Sequence, residues 1–326
     1  MLKAVRIARA AFCVRPQDDP ERRAMCRLGV EGAMVGLTLN LDWELNCQFA
    51  GLIWAMDAGF LKDVTVVPPS AQSGAPVLEL LEAGVPAVAT VEENLLVGAV
   101  ASGQTVRALG AMLQRSPLVL MTAQTGPVRG LGDLVGGRVA MHADGAQHLR
   151  ALLRLDGIDP AAVDIAVGGW SMQDLIAGSY DAVQGYAITE AAALQSQGFA
   201  ARLIPLHHAA LSPHSIVMVA RTEVIAAHRP ALRAMLRAIA DGWRQVLHDP
   251  QTAARRVAAY SAEHADVQQN CAILERIAPY VRRRPEADIL RLDVAQWARN
   301  LQSFQRLSML DTALNVQDVI APEVFG

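Results

Sequence analysis

LTLNLDWELNCQFAGLIWAMDAGFL, Leu37–Leu61, is the stretch that decides how this chain reads. Its opening, Leu37-Thr-Leu-Asn-Leu, sets apolar residues on alternate positions, the pattern of a β-strand. From about Cys47 to Ala58 the run is apolar and long enough for a helix, and Gly59 is suited to the left-handed cap that ends one. Trp43, Glu44, Leu45 and Asn46 stand on the turn between them. Ligands of open α/β sheets collect at the carboxyl ends of strands. An indole and an amide on this turn therefore mark Trp43 and Asn46 as one lip of a candidate cleft. An indole at a cleft lip suits stacking on a planar ring; the alternative is that Trp43 packs beneath the following helix. Trp54, flanked by Ile53 and Ala55 in mid-helix, reads as core.

Outward from this stretch, strand and helix signals alternate. Asp63-Val-Thr-Val-Val-Pro-Pro predicts a second strand, stopped by prolines. Ala75–Ala83 predicts a helix, Ala87–Val91 a third strand, Glu92–Ala101 a helix, Thr105–Leu113 a fourth strand and Leu118–Thr122 a fifth. Alternation at this pitch predicts parallel βα units. After Gly126-Pro127 the pattern restarts, with strands near Arg138–Met141, Asp164–Val167 and Asp181–Tyr186 and a helix over Ala146–Leu155. Ser215–Ala220 is apolar and β-branched and predicts a strand returning to the first sheet. Beyond Thr222 the chain reads as helical, with Leu232, Met235, Leu236, Ile239, Trp243 and Val246 at helical spacing. The expected organisation is a leader or disordered tail over 1–33, a first lobe over 34–121, an inserted second lobe over 122–212, and a return strand with C-terminal helices over 213–326. Two chain crossings at one waist make a hinge, and a cleft between α/β lobes suits a small ligand.

Composition narrows the classes. Of 326 residues 52% are hydrophobic and 19% charged, which fits a globular protein with a large core. A net charge of −3 without a basic run argues against nucleic acid. No stretch approaches the roughly 18 apolar residues that cross a bilayer. Cys13, Cys26, Cys47 and Cys271 are scattered, with no CxxC, and read as free thiols. The first residues are basic, but Arg6, Arg9 and Arg15 break the apolar centre that a secretory signal needs. Met34 is an alternative start.

Four segments carry a family resemblance: LDWELNCQFAGLIWAMDAGFL, DLVGGRVAMH, IAGSYDAVQGY and RPALRAMLRAIADGWRQVLHDPQTAA. In their order and spacing they resemble the periplasmic-binding-protein-like group that joins the SsuA-type binding proteins to the thiamine-pyrimidine synthases. The resemblance spans most of Leu37 to about Phe304. It implies a two-lobed type II periplasmic-binding-protein fold, with lobe two inserted in lobe one. It also implies a small-molecule ligand, an ABC permease and ATPase as partners, and no cofactor. A thiamine-related pyrimidine is the first ligand to consider; an alkanesulfonate, nitrate or an aromatic acid is the alternative. Periplasmic residence follows from the resemblance, and cytoplasmic residence from the N-terminal sequence as it stands.

Departures from the synthase branch are specific. Its reactive lysine and histidine would fall in Val91–Leu96, which here reads Val-Glu-Glu-Asn-Leu-Leu. Its cysteine-rich iron-binding run would fall near Leu211–Met218, where no cysteine stands. Pro86 occupies the place of an aspartate common in the family. These differences favour a non-enzymatic binder; a synthase-related enzyme and a cytoplasmic ligand sensor on the same fold are the alternatives.

The resemblance also directs attention to further residues. Glu92, Glu93 and Asn94 follow the third strand and open a helix. They read either as helix-dipole partners or as acceptors for ligand N–H groups. Trp170, after Gly168-Gly169, and Tyr186, with Glu190 one turn beyond, are candidates for the far wall. Their alternative is packing inside lobe two. His214 lies at the second crossing as a hinge or lip. In His142–His148 the backbone N–H groups could cradle an anion, unless Asp144 caps them. His207-His208 makes a poor chelate without a nearby carboxylate or cysteine, so no metal site is expected.

Overall fold

The computed structural model describes residues 36–69, 77–81, 84–260, 264–284 and 289–325. The expected leader, Met34, Cys13 and Cys26 lie outside them. So does part of the helix expected over Ala75–Ala83, of which Val77–Leu80 is described and forms a 3-10 turn.

Among the described residues ten strands form two five-stranded sheets: β1 Leu37–Asn40, β2 Val64–Val67, β3 Ala87–Val91, β4 Val106–Leu113, β5 Leu118–Ala123, β6 Arg138–Met141, β7 Asp164–Val167, β8 Ala182–Tyr186, β9 Ala201–Pro205 and β10 Ser215–Arg221. The first sheet runs β2-β1-β3-β10-β4, and the second runs β7-β6-β8-β5-β9. In each sheet four strands run one way and one antiparallel intruder lies among them. β10 lies antiparallel between β3 and β4, and β5 lies antiparallel between β8 and β9. The sheets are therefore mixed, not purely parallel as the alternation suggests. Five helices position the site and frame the core: α1 Ala50–Asp57, α2 Glu93–Ala101, α3 Ala143–Leu155, α4 Thr222–His248 and α5 Val294–Arg306.

Leu118–Thr122, expected as the last strand of the first unit, belongs to the second sheet. Its burial is almost continuous, as befits a strand covered on both faces. Such a run carries no alternation to say which sheet it joins. The chain thus leaves the first sheet between β4 and β5. It returns between β9 and β10, where Ser215–Ala220 takes its expected place in the first sheet.

α1 is apolar all round and is buried from Ala50 to Ala55. It crosses α4 at two glycines. A Cβ on Gly242 would lie 2.0 Å from the Gly51 carbonyl oxygen, and one on Gly51 would lie 2.4 Å from the Trp243 ring. Trp243 is fully buried in this crossing. Trp54 is buried as expected, and the Arg256 guanidinium sits 4.0 Å from its ring centre. α4 begins at Thr222, where the helical reading begins, and His228 inside it is non-helical (φ −122°). Pro230, two residues on, lacks an N–H and crowds the preceding turn, which accounts for the break. Among the described residues no helix is long and apolar enough to cross a membrane.

The α1/α4 crossing has no spare volume. Gly51→Ala and Gly242→Ala are each expected to cost about 1–3 kcal/mol through overpacking. Gly98→Ala, in α2 where a new Cβ meets nothing within 4 Å, is expected to gain up to about 1 kcal/mol. Urea unfolding followed by circular dichroism measures all three.

Candidate functional site

The carboxyl ends of β1, β3, β6, β7 and β8 converge between the lobes. The chain leaving each strand delivers the side chains that line a cavity of about 250 Å³. β1 brings Asp42 and Trp43; β3 brings Glu92; β6 brings His142 and Asp144; β7 brings Trp170; β8 brings Gln184, Gly185 and Tyr186, with Glu190 just beyond. Gln48, Leu95 and Ile216 complete the wall.

The mouth is aromatic. Trp43, 48% exposed, lies edge-on to His142 with ring centres 6.3 Å apart. His142 lies 5.2 Å from Trp170. Trp43 belongs to the first lobe and the other two rings to the second, so the row bridges the lobes. Gly168 and Gly169 have φ of 75° and 68°, a left-handed pair that glycine adopts without penalty. They turn the chain between β7 and Trp170.

The floor is a polar network that also spans the lobes. Tyr186 Oη and Ser215 Oγ both donate to Glu92 Oε1, at 2.9 and 2.5 Å, and lie 2.9 Å from each other. Burial pushes the Glu92 carboxyl up to about 8, and the nearby Asp42 and Asp144 carboxylates push the same way against the hydroxyl donors. The Tyr186 hydroxyl is raised well above its ordinary range by burial and by Glu92. Asp42 is raised by burial, although Thr90 Oγ1 donates to it at 2.5 Å. Glu190 Oε2 accepts the Tyr186 backbone N–H at 2.9 Å. Ile216, on the floor, has φ of 52°, a strained conformation for a β-branched residue.

Of the residues singled out from sequence, Trp43, Glu92, Trp170, Tyr186 and Glu190 come together on this cavity. Four others do not. Asn46 is buried and caps the following turn, accepting the Gln48 N–H at 2.8 Å. Glu93 is fully buried beside the cavity. It accepts the His214 backbone N–H at 2.7 Å, His214 Nδ1 at 2.5 Å and Asn300 Nδ2 at 2.7 Å. His214 is buried too, stacked on Trp297 with ring centres 5.0 Å apart, so it is not a lip. Asn94 lines a small annex of about 30 Å³, and its amide bridges to the Asp144 carbonyl at 3.2 Å.

One sequence reading of the His142 segment changes. At the helix start, His142 N donates to Gln184 Oε1 at 3.0 Å. A Cβ on Gly145 would lie 2.1 Å from that oxygen, so the glycine makes room for the amide. Asp144 is not the cap: His142 holds that position, and Asp144 sits in the first turn facing the cavity. Asp42, Gln48, His142, Asp144, Gln184 and Ile216 were missing from the sequence-derived site. Asp42 was within reach, since it neighbours Trp43 at a strand end. Gln184 depends on long-range packing that no local pattern reports. Among the described residues, no group of three His, Cys, Asp or Glu side chains forms a candidate metal site.

Residues 46–253 match the family model described as NMT1/THI5 like. The chain belongs to the NMT1/THI5-like family. Curated protein sequences gave no match. Among solved structures, the periplasmic aliphatic sulphonate binding protein SsuA from Escherichia coli is similar at 15% identity. Its TM-score is 0.66 over 89% of this chain and 99% of that one. The alkanesulfonate-binding protein SsuA from Xanthomonas axonopodis pv. citri, bound to MOPS, is similar at 16% identity, with a TM-score of 0.63 over the same shares. The desulfurization enzyme DszB is similar at 16% identity, with a TM-score of 0.56 over 88% of this chain and 97% of that one. At such identities the likeness is one of fold. It is the two-lobed periplasmic-binding-protein fold that the resemblance led one to expect, and in this NMT1/THI5-like chain the cavity lies between the lobes.

Glu92 gives the site a pH signature. Its folded carboxyl titrates near 8 against an ordinary 4.5, so the folded state holds a proton that the unfolded chain releases. Stability from this group is complete below about 4.5 and is lost as pH rises through 8. The urea midpoint of wild type relative to Glu92→Gln is expected to fall from pH 5 to 8 and to level off above; a flat difference would refute the assignment. A second expectation concerns the buried pair beside it. His214→Ala leaves the Glu93 carboxylate short of a partner and is expected to cost about 3–5 kcal/mol, read by the same unfolding measurement.

Proposed function

We propose that this protein is a non-enzymatic solute-binding protein that closes its two lobes on a small planar heterocycle. The ligand considered first is a thiamine-related aminopyrimidine, delivered to an ABC permease and its ATPase from the periplasm. The observation that carries this reading is the cavity itself. Two indoles and an imidazole border it, carboxyl and amide groups line it, and neither lysine nor arginine is among its lining residues. Its volume of about 250 Å³ equals on the order of eight waters at their liquid volume, which suits one substituted ring. Aromatic faces stack on such a ring, and Glu92, Asp144, Glu190 and Gln184 supply acceptors for amino and ring N–H groups. The printed names of the SsuA proteins describe binders of sulfonates. A sulfonate needs donors or positive charge, and this cavity offers mainly acceptors.

Closure follows from where the contacts fall. The Tyr186–Glu92, Tyr186–Ser215 and Asn94–Asp144 bonds cross between the lobes. A ligand seated among them adds contacts to both lobes only when they are together. It shifts an open–closed equilibrium by that preference alone. The synthase reading lacks support from residues 91–96, which carry neither its lysine nor its histidine, and from residues 211–218, which carry no cysteine.

A thermal-shift screen tests the proposal. The panel holds aminopyrimidines, thiamine, riboflavin, aromatic acids, alkanesulfonates and nitrate. At about a hundred times Kd a ligand of the folded state adds about 2.7 kcal/mol. The expected result is a raised midpoint with an aminopyrimidine, abolished in Trp43→Ala and in Trp170→Ala. A rise with sulfonates or nitrate only would overturn the ligand class.

A further inference from the structure

We infer that the cleft takes its ring as a cation, an N-protonated or N-alkylated planar heteroaromatic, and rejects anionic ligands of the same size. This rests on the reading of the cavity as the ligand site and adds the charge of the ligand. The observation is an imbalance. Asp42, Glu92, Asp144 and Glu190 all line one cavity, and no guanidinium or ammonium lines it with them. They come from both lobes, so closure gathers acidic groups, and ionising them together costs free energy unless something of opposite charge is placed among them. The walls suit the same occupant: Trp43 and Trp170 line the cavity, and indole rings attract cations most strongly when water is excluded.

The charges near Glu92 define how such a ligand couples to protons. Asp42 faces it from the end of β1. Asp144, with His142 and His148, faces it from the start of α3, and Tyr186 and Glu190 face it from the end of β8. His148 is buried, bonded to the Leu206 carbonyl at 2.7 Å, and shifted toward its neutral form by burial. His142 is exposed at the mouth. Without a ligand, burial and the neighbouring carboxylates keep a proton on Glu92 up to about pH 8. A bound cation favours the ionised carboxylate, so binding expels that proton and grows stronger as pH rises toward 8. A neutral ring gains nothing from this step.

Isothermal titration calorimetry on the full chain tests the inference with three probes of one size. They are 4-aminopyrimidine, its quaternary salt 4-amino-1-methylpyrimidinium, and benzenesulfonate, each run at pH 6, 7, 8 and 9. At pH 8 the quaternary ion is expected to bind at least about tenfold tighter than the uncharged ring. Its affinity should rise from pH 6 to 8 with proton release into the buffer. Asp144→Asn and Glu92→Gln should weaken the quaternary ion by a larger factor than they weaken the uncharged ring. Equal or tighter binding of the uncharged ring would overturn the charge inference and leave the heterocycle reading intact. Binding of benzenesulfonate alone, or of no probe, would overturn both.

Discussion

Glu93 is the constraint on which the cleft depends. Its carboxylate is sealed from water and holds three separate pieces of chain: the start of α2 that carries it, the second crossing through both N–H groups of His214, and α5 through Asn300. Asn300 also donates to the Ser212 carbonyl and accepts the Ser212 N–H. A buried acidic group is tolerable only when its acceptor capacity is filled, and here filling it fixes where the returning chain enters the first sheet. Ser215 and Ile216 follow directly, and both stand on the cavity floor. The position of the floor is therefore set by a group that no ligand touches.

Glu92 and Glu93 show what a sequence withholds. Both precede or begin the same helix, and as sequence they are interchangeable. Side chains one residue apart on a helix point about 100° apart, so one faces the cleft and the other the core. Nothing local says which. The aromatic positions were more legible, because Trp43, Trp170 and Tyr186 each fall at a strand end and the strand pattern was strong. Asn46 misled for a related reason: asparagine before an apolar helical run is a capping signal as well as a ligand signal, and the cap prevailed. Gln184 and the sheet membership of β5 depend on pairing between distant segments, which periodicity does not encode. The inserted lobe itself was legible from the restart after Gly126-Pro127 and from the β-branched run that begins at Ser215.

The comparisons and the cavity inform different levels. Proteins that bind sulfonates and an enzyme of desulfurization share the fold at about one residue in six. Fold at that distance fixes where a ligand sits and leaves open what it is. The cavity chemistry comes from a handful of strand-end side chains, and the fold places few demands on their identity. Carboxylates at Asp42, Glu92, Asp144 and Glu190 can coexist with the same two-lobed fold that binders of another ligand class use.

The aromatic row at the mouth has an optical consequence. Trp43 sits on the first lobe and faces His142 on the second, while Trp54, Trp243 and Trp297 are buried within the first lobe. An imidazole close to an indole quenches its emission by a short-range process, whereas the buried indoles keep their surroundings as the lobes separate. The chain thus carries its own reporter of lobe separation: brightening of half-exposed Trp43, against three buried indoles and a Trp170 that keeps its His142 neighbour on its own lobe, would register opening without any attached dye.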